Sequence, residues 1–414
     1  MNQRPDGGEP GGKAPVTFVL VVTVINMLGV GLAWPILPKL VEEFTGGDIS
    51  NAAFIYGFIA TAYAVAMFLF SPFMGALSDA WGRKPVLLIA QAGLGLDYLI
   101  MAFAPNLWWL AAARLVAGML GATMSTANAY MADISTPEER SRNFGMIGAA
   151  FGIGFIAGPL IGGLLGSIDI RLPFLFAAGL IGANIIFGIF ALPESLRPEN
   201  RKPLREATIN PLLAIARLTR FPMLYPLLAA LFLTNIAQRG LEAIWVLYTE
   251  FRFGWTVRDA GFSLAFVGLM FVIVQGFLVG PVVKRFGEWR TVTAGFLTST
   301  IALACYAIAT QGWMVYPLIA VHVLGNALAG PALNAICSKT VPANEQGLLQ
   351  GTLASINSVA VIIGPFAASM VLAAVTVNSP AIDIPGAWFI IGALLFATGF
   401  LLANAKRRNL VKSP

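Results

Sequence analysis

The sequence predicts an all-α membrane protein with twelve transmembrane helices in two similar halves of six. First, 57% of the 414 residues are hydrophobic and only 11% are charged, a composition that a water-soluble domain does not tolerate. Second, apolar runs of about 20 residues recur along the chain, each long enough to cross about 30 Å of hydrocarbon as a helix. Third, three sequence landmarks recur in the same order in both halves. The apolar runs are continuous rather than alternating, which excludes membrane strands.

Twelve apolar runs are the predicted spans. The first is too long for a removed signal peptide, and the Gly- and Pro-rich residues 1–15 before it are expected to form a disordered tail. The runs lie near 16–38, 51–75, 85–104, 107–131, 144–166, 172–192, 223–249, 260–283, 291–310, 313–337, 349–375 and 386–404.

A long polar stretch divides the spans six and six. It predicts an N-terminal bundle at 16–192, a linker at 193–222, a C-terminal bundle at 223–404 and a second tail at 405–414. The linker is basic, and Asn210–Leu218 within it is a possible amphipathic helix for an anionic membrane surface.

The two halves resemble copies offset by about 205 residues. The matching landmarks are Gly75 to Gly82 with Gly280 to Gly287, Pro137 with Pro342, and Gly158-Pro159 with Gly364-Pro365. Two parallel six-helix repeats are typical of transporters that bind substrate near the bilayer midplane between rocking halves. The two pseudo-symmetric bundles therefore predict alternating access.

The positions of the basic residues predict the orientation of the chain. The net charge is +6, but most of the 26 basic residues fall in the tails and even-numbered loops, and only Lys39, Arg171, Arg252 and Arg258 fall in odd-numbered loops. By the positive-inside rule both termini are cytoplasmic, with the chain in the inner (plasma) membrane. The charge therefore indicates a bilayer partner and no nucleic acid.

The sequence lacks the signals of an enzyme or an ATP-driven pump. One His and two separated Cys leave no metal cluster, and Cys305 and Cys337 are expected to be buried thiols. We find no nucleophile elbow and no phosphate-binding loop. We therefore expect no cofactor, with a proton gradient as the energy source.

The most specific string is Gly75-Ala-Leu-Ser-Asp79-Ala-Trp-Gly82-Arg83-Lys84-Pro85, between the second and third spans. Its glycines allow a tight turn and close helix approach, and Asp79 can accept hydrogen bonds from Arg83. The string resembles the signature loop of the major facilitator superfamily and predicts a cytoplasmic gate, to which we add Asp133. The alternative is that its basic residues only obey the positive-inside rule.

The fifth span carries glycines at steps of four, which predicts a face for close helix packing. Gly154, Gly158 and Gly162 lie on this face, and Gly158 precedes Pro159. Such spacing alone indicates only a helix contact. Together with its flanking glycines, however, Gly158-Pro159 resembles the antiporter motif of exporters in this superfamily.

The resemblance then narrows to the tetracycline efflux proteins of the drug:proton antiporter branch and covers nearly the whole chain. It is carried by Gly29–Pro38, Leu96–Leu99, Arg114–Thr123, Trp245–Trp255 and Gln346–Gly351. It implies the major facilitator fold and export of a small amphipathic, drug-like or antibiotic-like compound in exchange for protons. We expect the transporter to be a monomer.

Three departures leave the substrate and the coupling open. That family carries ionisable groups where this chain has Asn26, Phe271 and Ser299. Whether tetracycline is transported, and with how many protons, is therefore undecided. The alternative is a facilitator without proton coupling, or a lipid or metabolite exporter, of the same fold.

Polar residues within spans predict which helix faces avoid lipid. They form stripes on the fourth, seventh and tenth spans, which with the first span would line a central hydrated cavity. The predicted cavity residues are Asn26, Asn128, Asn235, Gln238, Arg239, Gln275 and Asn326.

Four ionisable residues are candidates for proton coupling. Asp97 and Arg114 are each seven residues in from the same outer loop and could meet about 10 Å deep in the membrane. If the pair separates in one conformation, Asp97 would bind a proton there and release it when Arg114 returns; the alternative is a permanent salt bridge. Glu242 and the single histidine, His322, are the other candidates. The alternatives are that Glu242 and Arg239 only neutralise each other and that His322 is only hydrogen-bonded.

Overall fold

The structure is a computed structural model that describes residues 13–121, 123–204, 222–342, 345–377 and 384–412. Residues 1–12 of the predicted tail and the possible helix Asn210–Leu218 lie outside the described residues.

The prediction of twelve transmembrane helices is confirmed. The described part of the chain contains twelve helices that are long and apolar enough to cross a membrane, and no strand. The bounds are α1 Lys13–Phe44, α2 Ile49–Trp81, α3 Arg83–Phe103, α4 Leu107–Ile134, α5 Pro137–Gly166, α6 Leu172–Ala191, α7 Tyr225–Phe253, α8 Val257–Phe286, α9 Glu288–Ile308, α10 Val315–Thr340, α11 Gln346–Thr376 and α12 Ala387–Lys412.

Two of the twelve are irregular. The fourth consists of two helical segments, Leu107–Met119 and Thr123–Ile134. The eighth contains a π-helical turn at Val274–Leu278. Turns of this kind occur frequently at functional sites, and the hydropathy pattern gave no sign of either feature.

Polar residues at the helix ends fix where several spans begin and stop. The Asn106 side chain accepts hydrogen bonds from the backbone N–H groups of Trp108 and Trp109 and so caps the start of α4. Thr256 and Asp259 form a reciprocal capping box at the start of α8. Gly254, with φ +67°, ends α7 in a conformation that favours glycine.

The chain divides into two compact units. The first unit contains Met1–Trp34 and Ala66–Ile209, and the second contains Pro35–Val65 and Asn210–Pro414. The end of α1 and the start of α2 therefore pack within the second unit, where the Ser50 hydroxyl donates to the Ala373 carbonyl of α11 at 2.8 Å. The bundle boundaries that the sequence suggested stay a prediction.

Glycines bring α5 against α1 in the first unit. A Cβ added at Gly154, Gly158 or Gly162 would lie within 2.7 or 2.8 Å of α1 backbone atoms, and one added at Gly31 would lie 2.7 Å from Pro159 Cδ. These helices therefore pack with backbones in contact, as small residues at steps of four permit.

The second unit repeats this contact. A Cβ added at Gly364 of α11 would lie 2.8 Å from the Ile236 carbonyl oxygen of α7. Thus α11 meets α7 as α5 meets α1, with both partners about 205 residues further along the chain. The internal repeat read from the landmarks is therefore also a repeat of packing.

Candidate functional site

The gate motif forms an ion-pair cluster around Arg83 in the first unit. Arg83 Nη1 lies 2.6 Å from Asp79 Oδ1, and Arg83 Nε lies 3.1 Å from Asp133 Oδ2. The Arg83 guanidinium also donates to the Ser78 hydroxyl at 3.1 Å. The structure therefore brings together the three charged residues of the predicted gate.

The two glycines of the motif differ in what they do. Gly82 has φ +111° and makes the sharp turn between α2 and α3. At Gly75 an added Cβ would meet nothing within 4 Å among the described residues, so the close helix approach expected there is absent from this structure.

Sequence reasoning missed Glu194, which completes the motif loop from the segment after α6. Its carboxylate accepts from the backbone N–H groups of Arg83 at 2.8 Å and Lys84 at 3.2 Å, and so caps the start of α3. A Cβ added at Gly82 would lie 2.3 Å from Glu194 Oε2. Glycine at this position therefore provides both the turn and the space for the cap.

Further contacts hold this segment against the end of α4. The Ser195 hydroxyl donates to Asp133 Oδ2 at 3.1 Å, and the Tyr130 hydroxyl donates to the Pro193 carbonyl at 2.8 Å. Asp133 thus accepts from both Arg83 and Ser195. The start of the predicted linker is in this way part of the first unit's charge cluster.

The buried acid and base of the first unit contact each other. Arg114 Nε donates to Asp97 Oδ1 at 3.1 Å, and Arg114 Nη2 contacts Asp97 Oδ2. The two side chains are only 12% and 1% exposed, respectively. Both carboxylate oxygens therefore meet one planar guanidinium, which is the strongest geometry for such a pair.

Polar residues of the second unit form a network across three helices. His322 Nε2 of α10 lies 2.8 Å from Gln238 Oε1 of α7, and Gln238 Nε2 donates to Glu242 Oε1 at 3.0 Å. Arg239 Nη1 donates to Glu242 Oε2 at 2.9 Å, and Nη2 donates to Asn357 Oδ1 of α11 at 3.4 Å. The expected intrahelical pair is present, but it belongs to a longer chain of hydrogen bonds. Asn357 was not among the predicted cavity residues.

The remaining predicted cavity residues fall in both units. In the first unit Asn26 is buried and Asn128 is partly buried, and in the second unit Asn235 and Asn326 are partly buried. Gln275 lies in the π-helical turn of α8, and its side chain donates to the Ala327 carbonyl of α10 at 3.2 Å. A cavity shared by these residues stays a prediction.

A second charged cluster, which the sequence did not suggest, joins α1 to α7 in the second unit. Lys39 Nζ lies 2.6 Å from Glu250 Oε1 and 2.7 Å from Glu42 Oε2. The structure places Lys39 inside α1 rather than in a loop, so that one ammonium group serves two carboxylates.

The described residues contain no group of three or more His, Cys, Asp or Glu side chains that could hold a metal ion. Cys305 and Cys337 are free thiols, the second buried and the first only partly so.

Apolar spanning helices with charged side chains paired inside each unit are the features of a multi-pass membrane protein whose ionisable groups mark a functional site. The family model of the Major Facilitator Superfamily matches residues 19–365. The chain therefore belongs to the major facilitator superfamily.

Several individual proteins are similar to this chain over most of its length. The class C tetracycline resistance protein of Escherichia coli is 39% identical over 356 residues, which are 86% of this chain and 89% of the relative. The class G protein of Vibrio anguillarum is 36% identical over 390 residues, 93% and 95% of the two chains. Multidrug resistance protein 2 of Bacillus subtilis is 28% identical over 353 residues, 84% and 86%. These relatives are transporters, and the chain is a transporter rather than an enzyme.

Solved structures share the fold. The human organic anion transporter MFSD10 has a TM-score of 0.69 at 24% identity and covers 97% of this chain and 100% of its own. A bacterial homolog of the human lysosomal transporter Spinster, in an inward-facing and occupied conformation, has a TM-score of 0.75 at 13% identity and covers 98% and 99%.

Proposed function

We propose that the protein exports small amphipathic compounds, drug-like or antibiotic-like, in exchange for protons by alternating access. Similarity to tetracycline resistance proteins over most of the chain supports the substrate class. The resemblance of Gly158-Pro159 to the exporter motif supports the direction of transport. The energy comes from the proton gradient, and the protein acts as a monomer without a cofactor.

The proposed orientation has both termini in the cytoplasm and the chain in the inner membrane, because the basic residues concentrate in the tails and even-numbered loops. The cluster of Asp79, Arg83 and Asp133 then lies on the cytoplasmic side. There it would hold the gate closed while the transporter opens outward, and its ion pairs would break and re-form in each cycle.

The observation that carries proton coupling is the buried pair of Asp97 and Arg114. Ionisable groups within a membrane span are costly, and removing one partner of a buried pair typically costs about 3–5 kcal/mol. If alternating access separates the two, Asp97 binds a proton in one state and loses it in the other. Each pH unit then supplies about 1.4 kcal/mol per proton. Membrane potential adds about 2.3 kcal/mol per charge per 100 mV.

The test is transport in proteoliposomes with and without an imposed pH gradient, using a panel of cationic and neutral amphipathic dyes and antibiotics. Asp97→Asn is expected to abolish gradient-driven accumulation while it retains substrate binding and passive exchange. The matched control is Asp169→Asn, the same chemical change at an exposed position after α5, which should transport as wild type.

Two results would contradict the proposal. Uphill transport by Asp97→Asn at the wild-type rate and with the same pH dependence would move the coupling role from Asp97 to Glu242 or His322. A wild-type protein that equilibrates its substrate but never accumulates it would be an uncoupled facilitator. The uncharged side chains at Asn26, Phe271 and Ser299 favour this second candidate function.

A further inference from the structure

A chain of hydrogen bonds in the second unit connects two ionisable side chains through one amide. It runs from His322 on α10 through Gln238 to Glu242 on α7, over distances of 2.8 and 3.0 Å. Gln238 is neutral, but it bonds to an ionisable group at each end of its amide. Arg239 pairs with the other carboxylate oxygen of Glu242 and also reaches Asn357.

The chemistry of the groups fixes the direction of these hydrogen bonds. An ionised carboxylate has no proton to donate, so the Gln238 group that faces Glu242 is the NH₂. The amide oxygen then faces His322, and because that oxygen only accepts, the imidazole proton is on Nε2. The other ring nitrogen, Nδ1, has no hydrogen-bond partner among the described residues, and His322 is only 4% exposed.

The same heavy atoms support a second arrangement when Glu242 binds a proton. The carboxylic acid then donates to the amide oxygen, so the Gln238 amide turns over and presents its NH₂ to His322. Nε2 now accepts, and the imidazole proton is on Nδ1. The two arrangements have the same number of hydrogen bonds along the chain. They differ by one proton on Glu242, while His322 is neutral in both.

We infer that Glu242, Gln238 and His322 form a proton-binding site of the second unit. Glu242 binds the proton, Gln238 is a positioning residue that turns over, and His322 on α10 changes tautomer in response. The inference rests on the proposed function only for the source of the proton. This site is separate from the Asp97 and Arg114 pair. In it, a proton bound on α7 changes the tautomer of a histidine on α10.

The surroundings leave few other charges to compete with this site. Arg239 is the nearby cation, and its bond to Asn357 gives it a partner whether or not Glu242 is ionised. Residues 346–376 of α11 contain no Asp, Glu, Lys, Arg or His. Glu250 follows Glu242 by eight residues, about 12 Å along α7. The charged residues of the other neighbouring helices lie near their ends: Arg258, Asp259, Lys284 and Arg285 on α8, Glu288 and Arg290 on α9, and Lys406, Arg407, Arg408 and Lys412 on α12.

Nuclear magnetic resonance of ¹⁵N-histidine-labelled protein tests the inference, because the chain has a single histidine. The ring nitrogen shifts distinguish the two neutral tautomers from the imidazolium. Full-length protein in lipid nanodiscs is titrated from high to low pH without substrate or gradient. The wild type is expected to change from the Nε2–H to the Nδ1–H tautomer in one transition, with no doubly protonated ring.

Variants separate the roles of the three residues. In Glu242→Gln the transition should disappear, because nothing titrates next to the amide. In Gln238→Leu the histidine tautomer should no longer follow pH. If that protein does not fold, Gln238→Asn, one methylene shorter, tests the same link. Asn334→Leu, at an exposed amide further along α10, should keep the wild-type transition.

Three results would overturn the inference. These are the Nδ1–H tautomer already at high pH, an imidazolium whose midpoint is the same in Glu242→Gln, or no pH response at all. The proposed function has a separate readout. If the tautomer changes but transport is not driven by protons, only the proposed function is contradicted. If transport is driven by protons but the tautomer does not change, only this inference is contradicted.

Discussion

Gly82→Ala is expected to destabilise the folded protein through two separate effects at the motif loop. The backbone has φ +111° and ψ 163°, a region that essentially only glycine adopts, so an L side chain there costs about 1–3 kcal/mol. The new Cβ would lie 2.3 Å from Glu194 Oε2, so the carboxylate must leave the N–H groups of Arg83 and Lys84. Losing a helix N-terminal cap costs about 1 kcal/mol. The expected total is about 2–4 kcal/mol.

A double-mutant cycle separates the two effects. Glu194→Ala alone should cost about 1 kcal/mol through the lost cap. In the double variant the cap is lost only once, so its cost should fall short of the sum of the single variants by about 1 kcal/mol. The measurement is the free energy of unfolding in detergent, from denaturant titrations at matched protein concentration.

The matched control is Gly148→Ala in α5, where an added Cβ would meet nothing within 4 Å. It should be neutral or stabilising by up to about 1 kcal/mol, because alanine has the higher helix propensity. The reasoning is refuted if Gly82→Ala behaves like this control. It is also refuted if the two single effects add within about 0.3–0.5 kcal/mol, since they would then be independent.

Three further predictions follow from the sites described above. Asp79→Ala should leave the protein in the membrane but stop turnover, because Arg83 loses its 2.6 Å partner in the gate; transport at the wild-type rate and equal expression would contradict this role. Glu242→Gln should raise the KM for cationic substrates more than the KM for neutral ones. An equal rise for both classes would show that Glu242 does not attract the substrate's charge. Gly158→Ala and Gly364→Ala should each cost about 1–3 kcal/mol of unfolding free energy. The new Cβ would lie 2.7 Å from Gly31 Cα in the first variant and 2.8 Å from a backbone oxygen of α7 in the second. Stability like that of the Gly148→Ala control would show that these contacts relax freely.

The fold was predictable because hydropathy alone determines which segments cross a bilayer. The ends were less predictable, since helices continue past the apolar run until a capping residue stops them. The last predicted residue of the seventh span was 249, whereas α7 continues to Phe253 and stops at Gly254. The packing of Pro35–Val65 within the second unit depends on long-range contacts that no local pattern encodes.

The candidate sites were predictable where one helix or one shared loop fixes the geometry. Asp97 and Arg114 are equally far from the same loop, so their contact follows from helix length. Gln238 and Glu242 are four residues apart, so they share a face of α7. Glu194 is 111 residues from Arg83 in sequence, and Asn357 is 118 residues from Arg239. Those contacts depend on how helices pack side by side, which spacing along one helix does not reveal.

The buried pair of the first unit has no charged counterpart at the repeat-related positions of the second unit. Positions about 205 residues beyond Asp97 and Arg114 hold Ala302 and Ile319. Both are only 1% exposed. A charged pair in one copy is therefore replaced by apolar side chains in the other.

The converse holds for the second site. Positions about 205 residues before Gln238, Glu242 and His322 hold Ala33, Leu37 and Ala117, all of them buried and apolar. Each half therefore has ionisable groups at positions where the other half has buried apolar residues. The two sites also use different helices, α3 and α4 in one case and α7 and α10 in the other, and they share no side chain. Asp97→Asn should therefore leave the pH-dependent tautomer change of His322 intact; its loss in that variant would show that the two sites titrate as one.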